Sequence, residues 1–363
     1  MPILWNYLLK GYFQLFFLCV SAFVSVLLVV RFQEIALFAS SGANLYQIAL
    51  FSFYQIPYIL PLAIPISCLL AAMILFQKMS THLEITALRA SGLSLGSLCY
   101  PLLLAGCLLS LVNFTVTSEM TPLTRTLAKN LLYQIAGDNP LIVMQKDSAF
   151  ALKTFDFDLK NLQPGKKAEE VIGIMRQESQ DRIALFTVKE LSIDKEWIHG
   201  SNLSFISNVD PKFPGYDHLI IENQQSMQVS KPTITSHLFS TEWFAKDDLL
   251  TLKEALHKYR KEKLSLTSKT GIDLIRRVYL GLCPFTFTVI GLAFGINTSR
   301  QKRKEAFFWT FSLSILMLGS FIASKTLYKI SFLAILLYIV PHPFALLVSL
   351  RSLRGISKGE SSC

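Results

Sequence analysis

The chain has 363 residues, of which 52% are hydrophobic and 17% charged, and its formal charge is +10. Residues 118 to 270 hold 20 basic and 20 acidic side chains, so the whole excess lies in the flanking parts, where charge-free apolar runs dominate. That distribution excludes an ordinary soluble fold, and the charge is a basic membrane edge rather than a nucleic-acid surface.

Charge-free runs cover residues 11 to 30, 35 to 77, 90 to 118, 278 to 299, 306 to 324 and 330 to 350. Each contains enough residues for an α-helix to cross a hydrocarbon core of about 30 Å. The first run is too long for a signal-peptide core and lacks a small-residue cleavage site, so it reads as a retained helix. In the second, Pro57, Pro61 and Pro65 recur every four residues on one helical face. Two readings of them stand: static kinks, or a flexible wall beside a lipid-sized cavity.

Orientation follows from the basic residues of the connections, because Lys and Arg are retained on the cytoplasmic side. With the N-terminus inside, the inner segments hold Lys10, Lys78, Arg89, Arg300, Lys302, Arg303, Lys304, Arg351, Arg354 and Lys358; the short outer loops hold only Arg31, Lys325 and Lys329. Both termini are expected in the cytoplasm, with the long polar insertion on the opposite side of the membrane.

The insertion, from 118 to about 240, reads as strands. Phe155, Phe157 and Leu159 alternate with Asp156, Asp158 and Lys160, and Met227 and Val229 with Ser226, Gln228 and Ser230. This is the period of a sheet with one wet face. Turn signals at Gln163-Pro164-Gly165-Lys166, Asp210-Pro211 and Phe213-Pro214-Gly215 separate the runs, and an antiparallel sandwich or partly open roll is expected. Residues 242 to 262 change to helical period through Leu249, Leu250, Leu252, Leu256 and Tyr259, predicting an amphipathic helix that leads back to the membrane. The six cysteines, Cys19, Cys68, Cys99, Cys107, Cys283 and Cys363, all lie outside the insertion, which must fold without disulfides.

The connection after the second span, Lys78 to Ser94, is the most specific local feature. Thr81 and Glu84 have capping-box spacing and Gly92 stands where a helix would stop, predicting a short helix over about 80 to 92. It is either an ordinary capped interfacial helix or a coupling helix seated in a partner ATPase, with Glu84 and Arg89 making directed polar contacts. The chain has no phosphate-loop motif, no HExxH or comparable metal spacing among its six His, and no nucleophile elbow. No catalytic residue, cofactor or metal is expected, and hydrolysis belongs to another chain.

The run from Leu60-Pro61-Leu62 through Glu84-Ile85-Thr86-Ala87-Leu88-Arg89-Ala90-Ser91-Gly92-Leu93-Ser94 resembles the corresponding segment of the LptF/LptG (YjgP/YjgQ) permeases. The layout of three spans, a domain and three spans, and the Arg276-Arg277 entry to the fourth span, extend the resemblance over nearly the whole chain. It implies an α-helical integral membrane protein with six transmembrane helices and an inserted jelly-roll-like periplasmic β domain. Expected boundaries are 1–118 for spans one to three, 119–241 for the β domain, 242–270 for the amphipathic connection, 271–350 for the last spans and 351–363 for a cytoplasmic tail.

The resemblance further implies a permease subunit of an ABC transporter that extracts lipopolysaccharide or lipooligosaccharide from the bacterial inner membrane. Its implied partners are an LptB-like ATPase dimer, a second LptF/LptG-type permease and LptC/LptA-like jelly-roll bridge proteins. By position Glu84 matches the family's coupling-helix glutamate, and Thr81, Glu84, Leu88 and Arg89 are the candidate ATPase-coupling residues. Arg31, Arg276 and Arg277 are candidates for a lipid-phosphate rim, against the alternatives of an interfacial anchor for Arg31 and an Asp273/Arg helix-entry pair for the other two. Two other classes share the layout: an ATPase-driven mechanotransmitter that carries no lipid, and a membrane-anchored docking module.

Overall fold

The computed structural model describes residues 2–40, 43–138, 155–163, 167–177, 182–193, 197–208, 218–230, 250–262, 265–296, 304–327 and 330–358. The three turn signals read at 163–166 and 210–215, residues 242–249 of the amphipathic segment, Arg300, Lys302, Arg303 and Cys363 fall wholly or mostly outside them.

Helices α1 (Pro2–Val30), α2 (Phe32–Ser40) and α3 (Leu45–Thr81) come first, then the short α4 (Glu84–Ala90). Helix α5 (Leu95–Thr115) passes through a π turn (Val116–Met120) into α6 (Thr121–Asp138). Among the described residues five strands follow: β1 (Phe155–Gln163), β2 (Lys167–Gln177), β3 (Arg182–Ile193), β4 (Trp197–Asn208) and β5 (His218–Ser230). The chain ends with α7 (Leu252–Lys261), α8 (Lys269–Gly295), α9 (Lys304–Thr326), α10 (Ser331–Ile339) and α11 (Pro341–Lys358). Among the described residues six helical segments are long and apolar enough to cross a membrane, namely Ile3–Val30, Leu45–Thr81, Leu95–Leu132, Lys269–Gly295, Ala306–Thr326 and Ser331–Ser357. This is a helical membrane protein with an inserted β domain.

Two expectations need correction. The strand reading began at 118, yet the chain stays helical to Asp138. The charges of Glu119, Arg125 and Lys129 end the apolar run, but charge ends a hydrophobic stretch without ending a helix, and the Leu-rich and Ala-containing segment has good helix propensity. The amphipathic segment, of which 242–249 lies outside the described residues, does not run as one unbroken helix to 262, because Thr251 caps a helix that starts at Leu252: its hydroxyl accepts the Glu254 N–H and Glu254 reaches back to the Thr251 N–H. The capping box therefore stands here, at the start of α7.

The residues form two compact units, 1–29 with 55–125 and 247–363, and 30–54 with 126–246. In the second unit the strands pair antiparallel in the order β1-β2-β3-β4-β5, a meander in which each strand bonds its sequence neighbour. Its apolar face gathers Ala168, Val171, Val188, Leu191 and Leu203, with Phe186, Phe205 and Met227 packed against them. Met227 and Val229 stay half-buried between the exposed Ser226 and Gln228, as the alternation predicted.

In the helical unit, the second and fourth spans are enclosed, with 72% and 78% of their most apolar windows buried; the first and fifth are only 11% and 22% buried. The close approach of α3 and α8 needs Gly291, where a Cβ would stand 2.6 Å from the Leu69 carbonyl oxygen. Polar side chains of the third span complete this packing. A proline lacks an N–H, so it leaves the carbonyl four residues earlier without its helical partner. Pro65 frees Pro61 O and Pro284 frees Leu280 O. The single Asn113 Nδ2 donates to both, at 3.3 Å and 2.7 Å. Pro61 frees Pro57 O, which lies 2.9 Å from the hydroxyl of Thr121; that hydroxyl shares its proton with Val116 O at 3.0 Å. The proline face of α3 is therefore tied to the third span rather than left slack.

Asn113 is fully buried, so Asn113→Leu strands two carbonyls in an apolar interior. Interhelical hydrogen bonds in membranes contribute roughly 0.6–2 kcal/mol each, so we expect a clear drop in the thermal unfolding midpoint in detergent. Ser25→Ala, which removes only an exposed bond within α1, serves as the neutral control. An Asn113→Leu midpoint equal to that control would show that these bonds stabilise nothing.

Candidate coupling helix and outer clasp

Helix α4 starts unusually. Its N-cap is Leu83, held at φ 57°, with no side-chain cap. Thr81 belongs to the end of α3, and its hydroxyl donates to the Lys78 carbonyl at 2.8 Å. The Thr81–Glu84 capping box is thus corrected: Thr81, the last helical residue of α3, stands where an extended cap would be needed. The predicted 80–92 helix contracts to 84–90 for the same reason. Gly92, at φ 87°, behaves as read. The Gly92 N–H reaches Arg89 O and the Leu93 N–H reaches Leu88 O, the paired bonds of a Schellman stop that a left-handed glycine makes possible.

Three contacts fix this helix to the bundle. Ile85 is 1% exposed, in a cluster with Leu8, Met79, Leu95 and Ile356, and Leu88 packs against its edge. The Tyr7 hydroxyl of α1 donates to Glu84 Oε2 at 3.3 Å. Arg89 Nη2 donates to the Ser357 carbonyl of α11 at 3.4 Å. Among the predicted coupling residues, Glu84 and Arg89 thus share one short helix, Leu88 turns inward, and Thr81 sits on the preceding helix.

The outward face instead presents Leu83, Thr86, Ala87 and Ala90. Leu83 is 56% exposed despite its size, in a backbone region costing a non-glycine residue roughly 1–2 kcal/mol. Sequence reading missed Leu83, Tyr7 and Ser357. A positive φ at leucine has no sequence signature, and the other two meet α4 only through the fold.

The predicted lipid-contacting arginines part company. Arg31 pairs with Glu34 of α2 in the second unit. In the helical unit, Ser268 caps α8 by accepting the Gly271 N–H at 3.1 Å, and one turn later Asp273 takes both Arg276 and Arg277. Arg276 keeps some exposure. Arg277 is 1% exposed and donates Nε to Asp273 Oδ2 at 2.7 Å, Nη1 to Ser118 O at 3.1 Å and Nη2 to Leu250 O at 2.7 Å. A rim residue must face its ligand, so Arg277 is corrected from rim to interior clasp. Its Asp/Arg helix-entry alternative is the arrangement observed.

Deeper in the bundle, Thr286 Oγ1 lies 2.8 Å from His342 Nδ1, whose ring stands edge-on to Tyr279. The Tyr279 hydroxyl donates to Met317 O at 2.7 Å. These bonds tie α8 to α9 and α11. Among the described residues no group of three or more His, Cys, Asp or Glu is placed to hold a metal ion.

No curated protein matches the chain. The family profile described as lipopolysaccharide export system permease LptF/LptG matches residues 6–354. That span takes in all or nearly all of each of the six candidate membrane helices, α4 and the five-stranded sheet. The chain therefore belongs to the LptF/LptG family of lipopolysaccharide export system permeases.

Proposed function

We propose that this chain is one permease half of an inner-membrane ABC transporter that lifts lipopolysaccharide or lipooligosaccharide out of the bilayer and passes it to periplasmic jelly-roll bridge proteins. ATP is hydrolysed by a separate ATPase dimer, and a second LptF/LptG-type permease completes the cavity. The observation that carries this reading is α4. A seven-residue helix between two spans is anchored inward by Ile85, braced by Tyr7 at its start and tied to Ser357 at its end, while Leu83, Thr86 and Ala87 face out. An element so braced can receive a push from a partner and deliver it to α3 and α5, which it joins.

The unequal enclosure of the spans supports a partner permease. The first and fifth spans expose Phe17, Leu18, Val29, Phe307, Phe311 and Ile322, surfaces suited to lipid tails or a second subunit. Arg31 and Arg276 retain the proposed role of meeting lipid phosphate, since both side chains keep part of their surface exposed and a guanidinium suits phosphate. Both termini lie in the cytoplasm on this reading.

Topology is checked by thiol labelling. A cysteine at position 165 or 215 should react with an impermeant reagent from the periplasm, and one at 302 should not; the reverse pattern would place α4 on the wrong side for an ATPase.

Glu84→Ala should lower ATPase association roughly tenfold, equivalent to about 1.4 kcal/mol. Membrane level should hold, because the lost first-turn charge is worth only about 0.3–1 kcal/mol to the helix. Thr81→Ala, which touches no cap, should bind the ATPase normally. Equal binding by both variants would remove Glu84 from the interface.

Arg31→Gln combined with Arg276→Gln should weaken photo-crosslinking of lipopolysaccharide while sparing insertion and ATPase binding. Undiminished crosslinking would mark both as interfacial anchors, and an ATPase-bound complex that never crosslinks lipid would favour a mechanotransmitter.

A further inference from the structure

Arg277 is the largest fully buried side chain among the described residues, and it is a charge. Each of its three nitrogens serves a different stretch of chain: Nε goes to Asp273 one turn back on α8, Nη1 to Ser118 in the π turn of the third span, and Nη2 to Leu250. Leu250 immediately precedes Thr251, the N-cap of α7, and stands four residues after Lys246, where the β-domain unit ends. Two of the three acceptors are thus main-chain carbonyls of segments that lead elsewhere. From Ser118 the chain runs back along α5 to α4; from Leu250 it runs back to the β domain.

An apolar staple would slide under load. A planar guanidinium with three committed directions resists both shear and rotation, and lysine, whose three donors leave from one nitrogen on a flexible stem, does not reproduce that fixed spread. The carbonyl it grips at Leu250 is itself rigid, because the capping box of α7 begins at the next residue. The carbonyl at Ser118 lies in a π turn, a break in helical bonding frequent at functional positions. One turn further along α8, Asn113 binds Leu280 O, so the third span and α8 are joined at two successive levels.

We propose that Arg277 is a positioning residue that clasps the stem of the β domain to the third and fourth spans, so that stem and spans move as one body and a push on α4 reaches the periplasmic domain. The purpose assigned to the clasp rests on the export reading above; its geometry does not.

The test uses the permease assembled with its ATPase in nanodiscs containing lipopolysaccharide, with nitroxides at the exposed positions Lys253 and Val278 in a background lacking other reactive cysteines. The clasp requires one narrow inter-label distance, the same with and without ATP, and a broadened distribution in Arg277→Lys. In that variant lipopolysaccharide release should fall about tenfold or more while ATP hydrolysis stays within about twofold, the signature of uncoupling rather than of lost assembly. A distance in the unsubstituted clasp that shifts by several ångströms on ATP binding overturns the proposal by itself, and decides the matter even if Arg277→Lys does not assemble. So does an Arg277→Lys complex that matches the original in distance width and coupling. Failure of the export reading looks different: no ATP-stimulated lipid release from the unsubstituted complex, whatever the distance.

Discussion

Inside a bilayer, a backbone carbonyl that loses its helical partner has no water to turn to. The helical unit is organised around that constraint. Pro61, Pro65 and Pro284 in the second and fourth spans each strand a carbonyl, and the third span supplies the replacement donors: Asn113 to Pro61 O and Leu280 O, and Thr121 to Pro57 O. The third span is thereby placed between the other two and fixed in register with both. Spans two, three and four form the packed block, at 72%, 50% and 78% burial of their apolar windows, while spans one, five and six, at 11%, 22% and 33%, ride on its surface.

This division bears on how a permease built from such a chain works. A block stiffened by cross-span hydrogen bonds transmits displacement, and the bonds of Tyr279 to Met317 and of Thr286 to His342 extend it to the surface helices α9 and α11. Helix α4 is spliced between two members of the block, so force applied there enters the stiff part first. The contacts of Tyr7 and Ser357 extend it to the start of α1 and the end of α11. At the other end of the third span, the buried Asp273–Arg277 pair performs the same service for the chain that returns from the β domain. A buried charge pair is weak evidence for stability and better evidence for specificity of arrangement. Here the arrangement specified joins three segments distant in sequence.

The two glutamate-containing capping patterns illustrate how local spelling is resolved by context. Thr81-x-x-Glu84 and Thr251-x-x-Glu254 have the same spacing, yet only the second forms a capping box. Thr251 follows non-helical chain and can adopt the extended conformation a cap requires. Thr81 is carried past that conformation by α3, one of the longest helices, so its hydroxyl turns back to Lys78 O and the reversal falls on Leu83. The positive φ at that leucine is the local cost of joining α3 to α4 with two intervening residues.

What the sequence determined by itself was everything set by composition along the chain: six spans, because charge-free length is a one-dimensional property; the polar insertion with its alternating strands; and the stop at Gly92, because only glycine enters the left-handed region cheaply. It also carried the family, through a run of residues from Leu60 to Ser94 that includes α4. What only the tertiary structure decided was which polar groups meet. Asn113 reads as one amide in an apolar run until two proline-freed carbonyls from other helices converge on it. Arg277 reads as half of a surface-facing pair until Asp273, Ser118 and Leu250 enclose it. The continuation of the third span to Asp138 likewise follows from helix propensity outlasting the apolar run. Hydropathy reports where a segment prefers to lie, whereas the partner of a buried donor is settled by helices far apart in sequence, and no local period encodes it.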